Sequence, residues 1–163
     1  METLRKQFDY HIWRIGAYAD HILSLPPDVF DKPVQGSFDT LGKLVLHLEG
    51  AERYIYCVAT QTPMNGLNKP VGIDAHTVAR HWKTMAPRWQ AFMEKLTPSD
   101  LQKEVGVPRK DGIVPTSLHN ALIQAIDHAT YHLGQLPYAL RQLNQPQQKI
   151  STYFAYTFTP HGH

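Results

Sequence analysis

The residues in this sequence best spaced for chemistry are two histidines four positions apart, His128 and His132. On a helix, side chains at i and i+4 share one strip of surface about 6 Å apart. Both imidazoles therefore reach a single ion without bending the backbone. Residue 129 is Ala, so the HExxH pattern of helix-borne metalloproteases, with its built-in general base, is absent. By itself the pair fits two hydrogen-bonded core histidines more readily than two ligands. A third histidine changes the balance. His47 lies among Leu44, Leu48, Ala51 and Ile55, so its ring also points inward, where the alternative is a bond to a buried hydroxyl such as that of Tyr54. No set of buried carboxylates is evident to pair with these rings. Three inward histidines on two helices make a shared divalent ion the more economical account.

Three neutral imidazoles bring no negative charge, so an ion among them keeps its full charge and an open coordination position, the pattern of catalytic rather than structural sites. Such an ion turns water or a thiol into a nucleophile for a small-molecule electrophile. Gln124, one turn before His128, is placed to orient a bound molecule but cannot take a proton. Tyr131, Glu52 and His11 are the candidate bases, and Arg53 and Arg141 are candidates to hold a substrate carboxylate, although surface ion pairs are the commoner use of such residues. His11 fits the wall of the same cavity or the core. His21, His76, His81 and His119 fall at helix ends or on mixed faces, where solvation is the default, and His161 and His163 are terminal. Cys57 is ten residues beyond His47, rotated about 80° from it, and reads as a small buried hydrophobe. A di-iron carboxylate site needs Glu-x-x-His pairs, and none occurs.

These residues need helices to carry them. Apolar positions recur at spacings of three and four through residues 3–24, where Pro26 and Pro27 stop the pattern, and through 40–60, with Ser37 or Asp39 as the expected cap and Lys43, Glu49 and Arg53 on the polar side. A third helix is predicted from Asp74 to about residue 96 on Trp82, Met85, Trp89, Phe92, Met93 and Leu96, kinked or broken by Pro87. Thr97-Pro98 reads as a helix restart. Lys110-Asp111-Gly112 between Val105–Val107 and Ile113–Val114 reads as a hairpin. The last helix runs from its cap Ser117 through Leu122, Ala125, Ala129, Leu136 and Ala139 to Leu143, bent by Pro137. The aromatic tail (Tyr153, Phe154, Tyr156, Phe158) docks on the bundle or on a partner chain. The expected fold is all-α: one domain over 1–163, a four-helix bundle with crossover connections and a short hairpin before the last helix.

Composition narrows the function classes. The chain has 163 residues, 42% of them hydrophobic, enough for a packed core. Sixteen Lys and Arg against fourteen Asp and Glu, with no basic run, exclude the footprint of a nucleic-acid binder. No apolar stretch is long enough for a membrane span. A lone cysteine excludes a disulfide framework and points to a reducing, cytoplasmic setting.

The run His128-Ala129-Thr130-Tyr131-His132-Leu133-Gly134-Gln135-Leu136 with Leu140-Arg141-Gln142-Leu143, the second-helix run 44–54 with His47-Leu48 and Gly50-Ala51-Glu52-Arg53, and more loosely Tyr10-His11-Ile12-Trp13, resemble the motifs of the DinB/YfiT-like family of metal-dependent proteins. The resemblance implies a four-helix bundle, usually a homodimer, with His47, His128 and His132 on zinc, nickel or manganese. It also implies activities that include S-transfer from low-molecular-weight thiols such as bacillithiol or mycothiol, and a maleylpyruvate isomerase. The sequence departs from the family at Trp13-Arg14-Ile15, where Trp-Ala-Asn is common, and at Pro146-Gln147-Gln148-Lys149-Ile150, where a Pro-rich, Asp-containing segment is usual. The expected function is thus a metal-dependent thiol S-transferase or hydrolase. The competing reading is a dimeric, metal-stabilised or metal-free binding module without turnover, with Trp82, Trp89, Phe92 and the tail as interface or ligand-pocket material.

Overall fold

The computed structural model describes residues 1–64, 74–148 and 152–158. His161 and His163, and most of the irregular connection expected before Asp74, lie outside them. Helix α1 (Glu2–Leu23) buries Leu4, Phe8, Ile15, Ala19 and Ile22 along one strip and ends at Ser24, ahead of the two prolines. Pro27 then opens a short 3-10 turn, Pro27–Val29. Helix α2 (Leu41–Thr60) starts at a cap that the sequence reading misplaced: Thr40 Oγ1 accepts the Lys43 N–H at 3.2 Å. Neither Ser37 nor Asp39 caps it, because Asp39 gives its carbonyl to the Val34 N–H (2.8 Å) and its carboxylate to the Lys43 ammonium (2.5 Å). Gln61 closes α2 in the left-handed region, φ 52°.

Prolines break both later helices at the same offset. The third predicted helix divides into α3 (Ala75–Lys83) and α4 (Met85–Lys95), three residues before Pro87. The fourth divides into α5 (Leu118–Leu133) and α6 (Gln135–Gln142), three residues before Pro137. A proline has no N–H for the carbonyl one turn back and its ring crowds that carbonyl, so the ladder stops there. At the first break the Thr84 N–H turns back to the His81 carbonyl at 2.9 Å. Asp74 and Ser117 cap α3 and α5 as predicted, through Thr77 N–H (2.9 Å) and Asn120 N–H (3.2 Å).

Thr97-Pro98 opens only a 3-10 turn, Pro98–Gln102. It leads into the hairpin, longer than the sequence signal: β1 (Glu104–Arg109) pairs antiparallel with β2 (Gly112–Ser117) from Glu104↔Ser117 to Arg109↔Gly112. Gly112, at φ 126°, completes the reversal in a region side chains rarely enter. Three bonds fasten the hairpin to the helices: Tyr54 Oη donates to the Pro108 carbonyl (2.7 Å), Gly106 N–H to Gln61 Oε1 (3.2 Å), and Leu118 N–H to the Lys103 carbonyl (2.8 Å).

Helix α1 packs on α3 and α4, α3 on α2, and α2 on α5, so the two broken helices count as one each and the expected bundle of four closes. Trp82, Trp89, Phe8, Met85, Leu122 and Leu136 fill its centre. Helix α7 (Tyr153–Phe158) docks on the bundle, with Tyr153 and Tyr156 against Tyr10 (ring centroids 5.3 and 5.4 Å) and Tyr156 against Trp13 (5.4 Å). No helix among the described residues is long and apolar enough to cross a membrane.

The flank of α2 that has the composition of a polar surface lies in the interior from Glu49 onward. Glu49 and Arg53 are buried, and so is Glu52, because α3 and α4 cover that flank. Glu49 accepts from Arg53 Nε (3.1 Å) and pairs with His81 Nδ1 (2.8 Å), while Glu52 meets His11 Nε2 (2.9 Å) and takes the Trp89 indole N–H. Buried carboxylates therefore exist, contrary to the expectation from sequence, and each has partners of its own. Removing one member of such a set strands the rest in a dry interior, which costs about 3–5 kcal/mol. Glu52→Ala is expected to lower the midpoint of thermal unfolding by roughly 6–20 °C at 2–4 °C per kcal/mol, read by circular dichroism, with Glu52→Gln losing less.

Candidate metal centre

Helix α2 carries His47 and α5 carries His128 and His132, and the packing of α2 on α5 brings all three rings together. Their ligand nitrogens lie within 4.8 Å of one another, the one such group among the described residues. His47 Nε2 is 3.1 Å from His128 Nε2 and 3.1 Å from His132 Nε2. A ring nitrogen presents one hydrogen or one lone pair along a single in-plane direction, so it cannot make two good N–H···N bonds at once. Two close approaches to one nitrogen suit lone pairs converging on a cation. Metal–nitrogen bonds of about 2.0–2.1 Å at tetrahedral angles separate the nitrogens by roughly 3.3–3.4 Å, within a few tenths of the distances observed. The residues present fit a shared divalent ion.

Around them the wall is built unevenly. Phe38, from the loop before α2, lies against His47 (centroids 4.9 Å) and His132 (5.6 Å). Gln135 Oε1 is 3.4 Å from His132 Nδ1, which leaves His132 Nε2 to face the cluster. Burial, then the neighbouring His132 and His47, push His128 down to about 4; burial and His132 lower His47 as well. Both rings are neutral at pH 7, the form a metal requires.

On one side of His128 opens a cavity of about 510 Å³, between α2, α5 and the hairpin. Gln124 lines it but makes no hydrogen bond to a histidine among the described residues; Gln135, which the sequence reading passed over, does. Both lie within a turn of a histidine in sequence, and the break at Gly134 is what leaves Gln135 at the start of a new helix beside His132. Tyr54 bonds Pro108 rather than His47. Of the candidate bases, Tyr131 is exposed with its ring against His132 (4.8 Å), and Glu52 and His11 are buried with each other, away from the cavity lining. Arg53 is occupied by Glu49 and Arg141 is exposed on α6, so neither lines the cavity; Arg109, at the end of β1, does. His81, His76 and His21 are not simply solvated: they meet Glu49, the Leu25 carbonyl (3.0 Å) and the Pro146 carbonyl (3.0 Å). His119 is exposed as expected. Cys57 is buried, which raises its thiol pKa, and it is no part of the cluster.

A sequence profile of the DinB family matches residues 1–156. The chain belongs to the DinB family. Protein DinB of Bacillus subtilis (strain 168) is 20% identical to it over 145 residues, 84% of each chain. Two solved DinB-like structures share the fold of this DinB-family chain: one from Bacillus cereus ATCC 10987 (TM-score 0.65, 19% identity, 90% of this chain and 94% of that one), and one from Bacillus subtilis (TM-score 0.65, 15% identity, 94% and 98%). The four-helix bundle expected from the resemblance is thus the fold of known relatives.

The depressed histidines set a pH dependence. An unfolded histidine titrates near 6.5, whereas His128 in the folded chain stays neutral to about 4. Across that window the unfolded chain binds more protons, so stability rises with pH and is lost as pH falls from 6.5 towards 4. Metal-free protein is expected to melt progressively lower between pH 7 and pH 4.5, and His128→Asn to flatten that dependence. Thermal melts of both proteins across the range check it.

Proposed function

We propose that this chain is a metal-dependent enzyme that activates a thiol, or else water, at the histidine cluster for attack on a small electrophile. The observation that carries the reading is the double 3.1 Å approach to His47 Nε2, which fits a cation better than any set of N–H···N bonds. His47, His128 and His132 would hold the ion. A divalent ion there supplies Lewis-acid chemistry, lowering the pKa of a bound thiol or water.

The chain's own groups prepare that chemistry. His128 and His47 keep their ring nitrogens unprotonated at neutral pH, and Gln135 orients the His132 ring through Nδ1. Phe38 shields the His47–His132 side from water. The cavity beside His128 admits the second reactant. Among its described lining residues none is a carboxylate, and Gln124 can orient a molecule without taking its proton. A thiol, which ionises near pH 8.5 unaided, depends less on such a base than water does, and this favours S-transfer over hydrolysis. Of the zinc, nickel and manganese that the family resemblance suggests, an all-imidazole set suits zinc and nickel better than manganese, which favours oxygen ligands. The lone buried cysteine accords with a reducing compartment, and a homodimer is the assembly the family resemblance suggests.

Reconstituted protein is expected to hold about one equivalent of zinc or nickel by elemental analysis, and each of His47→Ala, His128→Ala and His132→Ala to weaken binding by more than about a hundredfold, beyond the 10–100-fold typical of residues that only orient ligands. Metal in excess should raise the melting temperature of the wild type alone. Less than about a tenth of an equivalent, together with an unchanged melt when His47, His128 and His132 are all replaced by alanine, would sink the reading. Metal binding without turnover across several low-molecular-weight thiols and electrophiles would assign the chain to the binding-module role instead.

A further inference from the structure

The cavity beside His128 has an unbalanced charge pattern. Its walls are apolar on three elements, with Ile55 and Val58 from α2, Val107 and Val114 from the hairpin, and Ala121 from α5. Val114 is 52% exposed, an apolar side chain left facing open space. Its neutral polar groups include Asn120 and Gln124. Among its described lining residues Arg109 is the one fully charged side chain, and none is a carboxylate. Among the described residues the exposed Arg109 guanidinium has no ion-pair or hydrogen-bond partner, whereas Arg53 and five lysines each face a carboxylate within 3.1 Å. Its backbone is nonetheless pinned: it pairs with Gly112 across the turn, and the preceding Pro108 carbonyl is held by Tyr54. A guanidinium on a fixed strand end at the mouth of an apolar cavity is a fork of donors awaiting a planar anion.

We propose that this cavity binds a small molecule with an apolar body and one anionic group, preferably a carboxylate, with Arg109 taking the anion and the apolar body lying between the hairpin, α2 and α5 towards His128. The assignment rests on the reading of the histidine cluster as a metal-dependent site, whose second reactant this molecule is. A volume of about 510 Å³ falls within the range of about 300–1,000 Å³ usual for small-molecule sites. The apolar walls supply affinity, and the lone cation supplies selection: an amide or an amine of the same shape leaves the guanidinium without its partner, and the amine adds repulsion.

Calorimetric titration of zinc-loaded and metal-free protein with naphthalene-2-carboxylate, naphthalene-2-carboxamide and 2-naphthylmethylammonium tests this. Carboxylate is expected to bind roughly ten- to a hundredfold tighter than amide, the range for a charged hydrogen bond, and ammonium weakest. Arg109→Met should bring carboxylate to the level of amide while leaving amide binding and zinc content unchanged; Arg109→Glu should reverse the order of carboxylate and ammonium. Equal binding of carboxylate and amide to the wild type overturns the proposal, as does a carboxylate preference that survives in Arg109→Met. A preference lost on removing zinc yet kept in Arg109→Met places the anion at the histidines, and overturns it too. Protein that takes up no zinc but shows an Arg109-dependent preference separates the two readings: the metal centre fails and the anion site stands.

Discussion

The structure turns on the polar residues that α2 carries into the interior. A helix whose inward surface holds His47, Glu49, Glu52 and Arg53 is unstable in a bundle unless each neighbour brings a partner, because an unpaired buried charge costs several kcal/mol. Every neighbour does. α1 brings His11 to Glu52, α4 brings Trp89 to the same carboxylate, α3 brings His81 to Glu49, and α5 brings His128 and His132 to His47. Helix α2 is thus the hub of the bundle, and the position of each surrounding helix is fixed by a polar contact as well as by packing. Against a total stability of about 5–15 kcal/mol, losing one of these sets is a large perturbation. The same constraint that orders the core aligns the candidate metal centre.

The pairings divide into two kinds. Glu49 and Glu52 are each met by donors, so these carboxylates are compensated and have a structural role. The histidine cluster is different: three ring nitrogens face one another with no anion and no adequate set of protons between them. A fold that gives partners to the buried Glu49, Glu52 and Arg53 of α2 leaves this half-buried set able to hold a metal ion, beside an open cavity. The short hairpin matters for the same reason. It adds little to the core, but its bonds to Tyr54 and Gln61 hold a wall over α2 and α5 and carry Arg109 to the cavity.

Much of this was legible in the sequence, for local reasons. The His128–His132 spacing puts two rings on one strip of any helix; apolar period marked the long helices; Asp74 and Ser117 capped where they were expected; Asp111-Gly112 turned the hairpin; and Pro87 and Pro137 broke their helices through chemistry contained within one turn. The family motifs around His47 and His128 pointed to the same bundle. What went astray depended on neighbours. Glu49 and Arg53 have the composition of a solvated face, and only the packing of α3 across them makes them an interior pair. Asp39 and Thr40 are both good caps, and the choice was made by the Val34 N–H claiming the Asp39 carbonyl.

The roles of Gln124, Gln135, Arg53, Arg141 and Arg109 separate along the same line. Sequence period says which strip of a helix a residue occupies, and so it determined that His47, His128 and His132 point inward. It carries no information on the angle at a broken helix or on the height of a hairpin above a neighbouring helix. Those are set by contacts between residues far apart in the chain, such as Tyr54 with Pro108 and Lys103 with Leu118. Only the tertiary structure therefore decided that Gln135 bonds His132 while Gln124 lines the cavity, and that the cation over the cavity is Arg109.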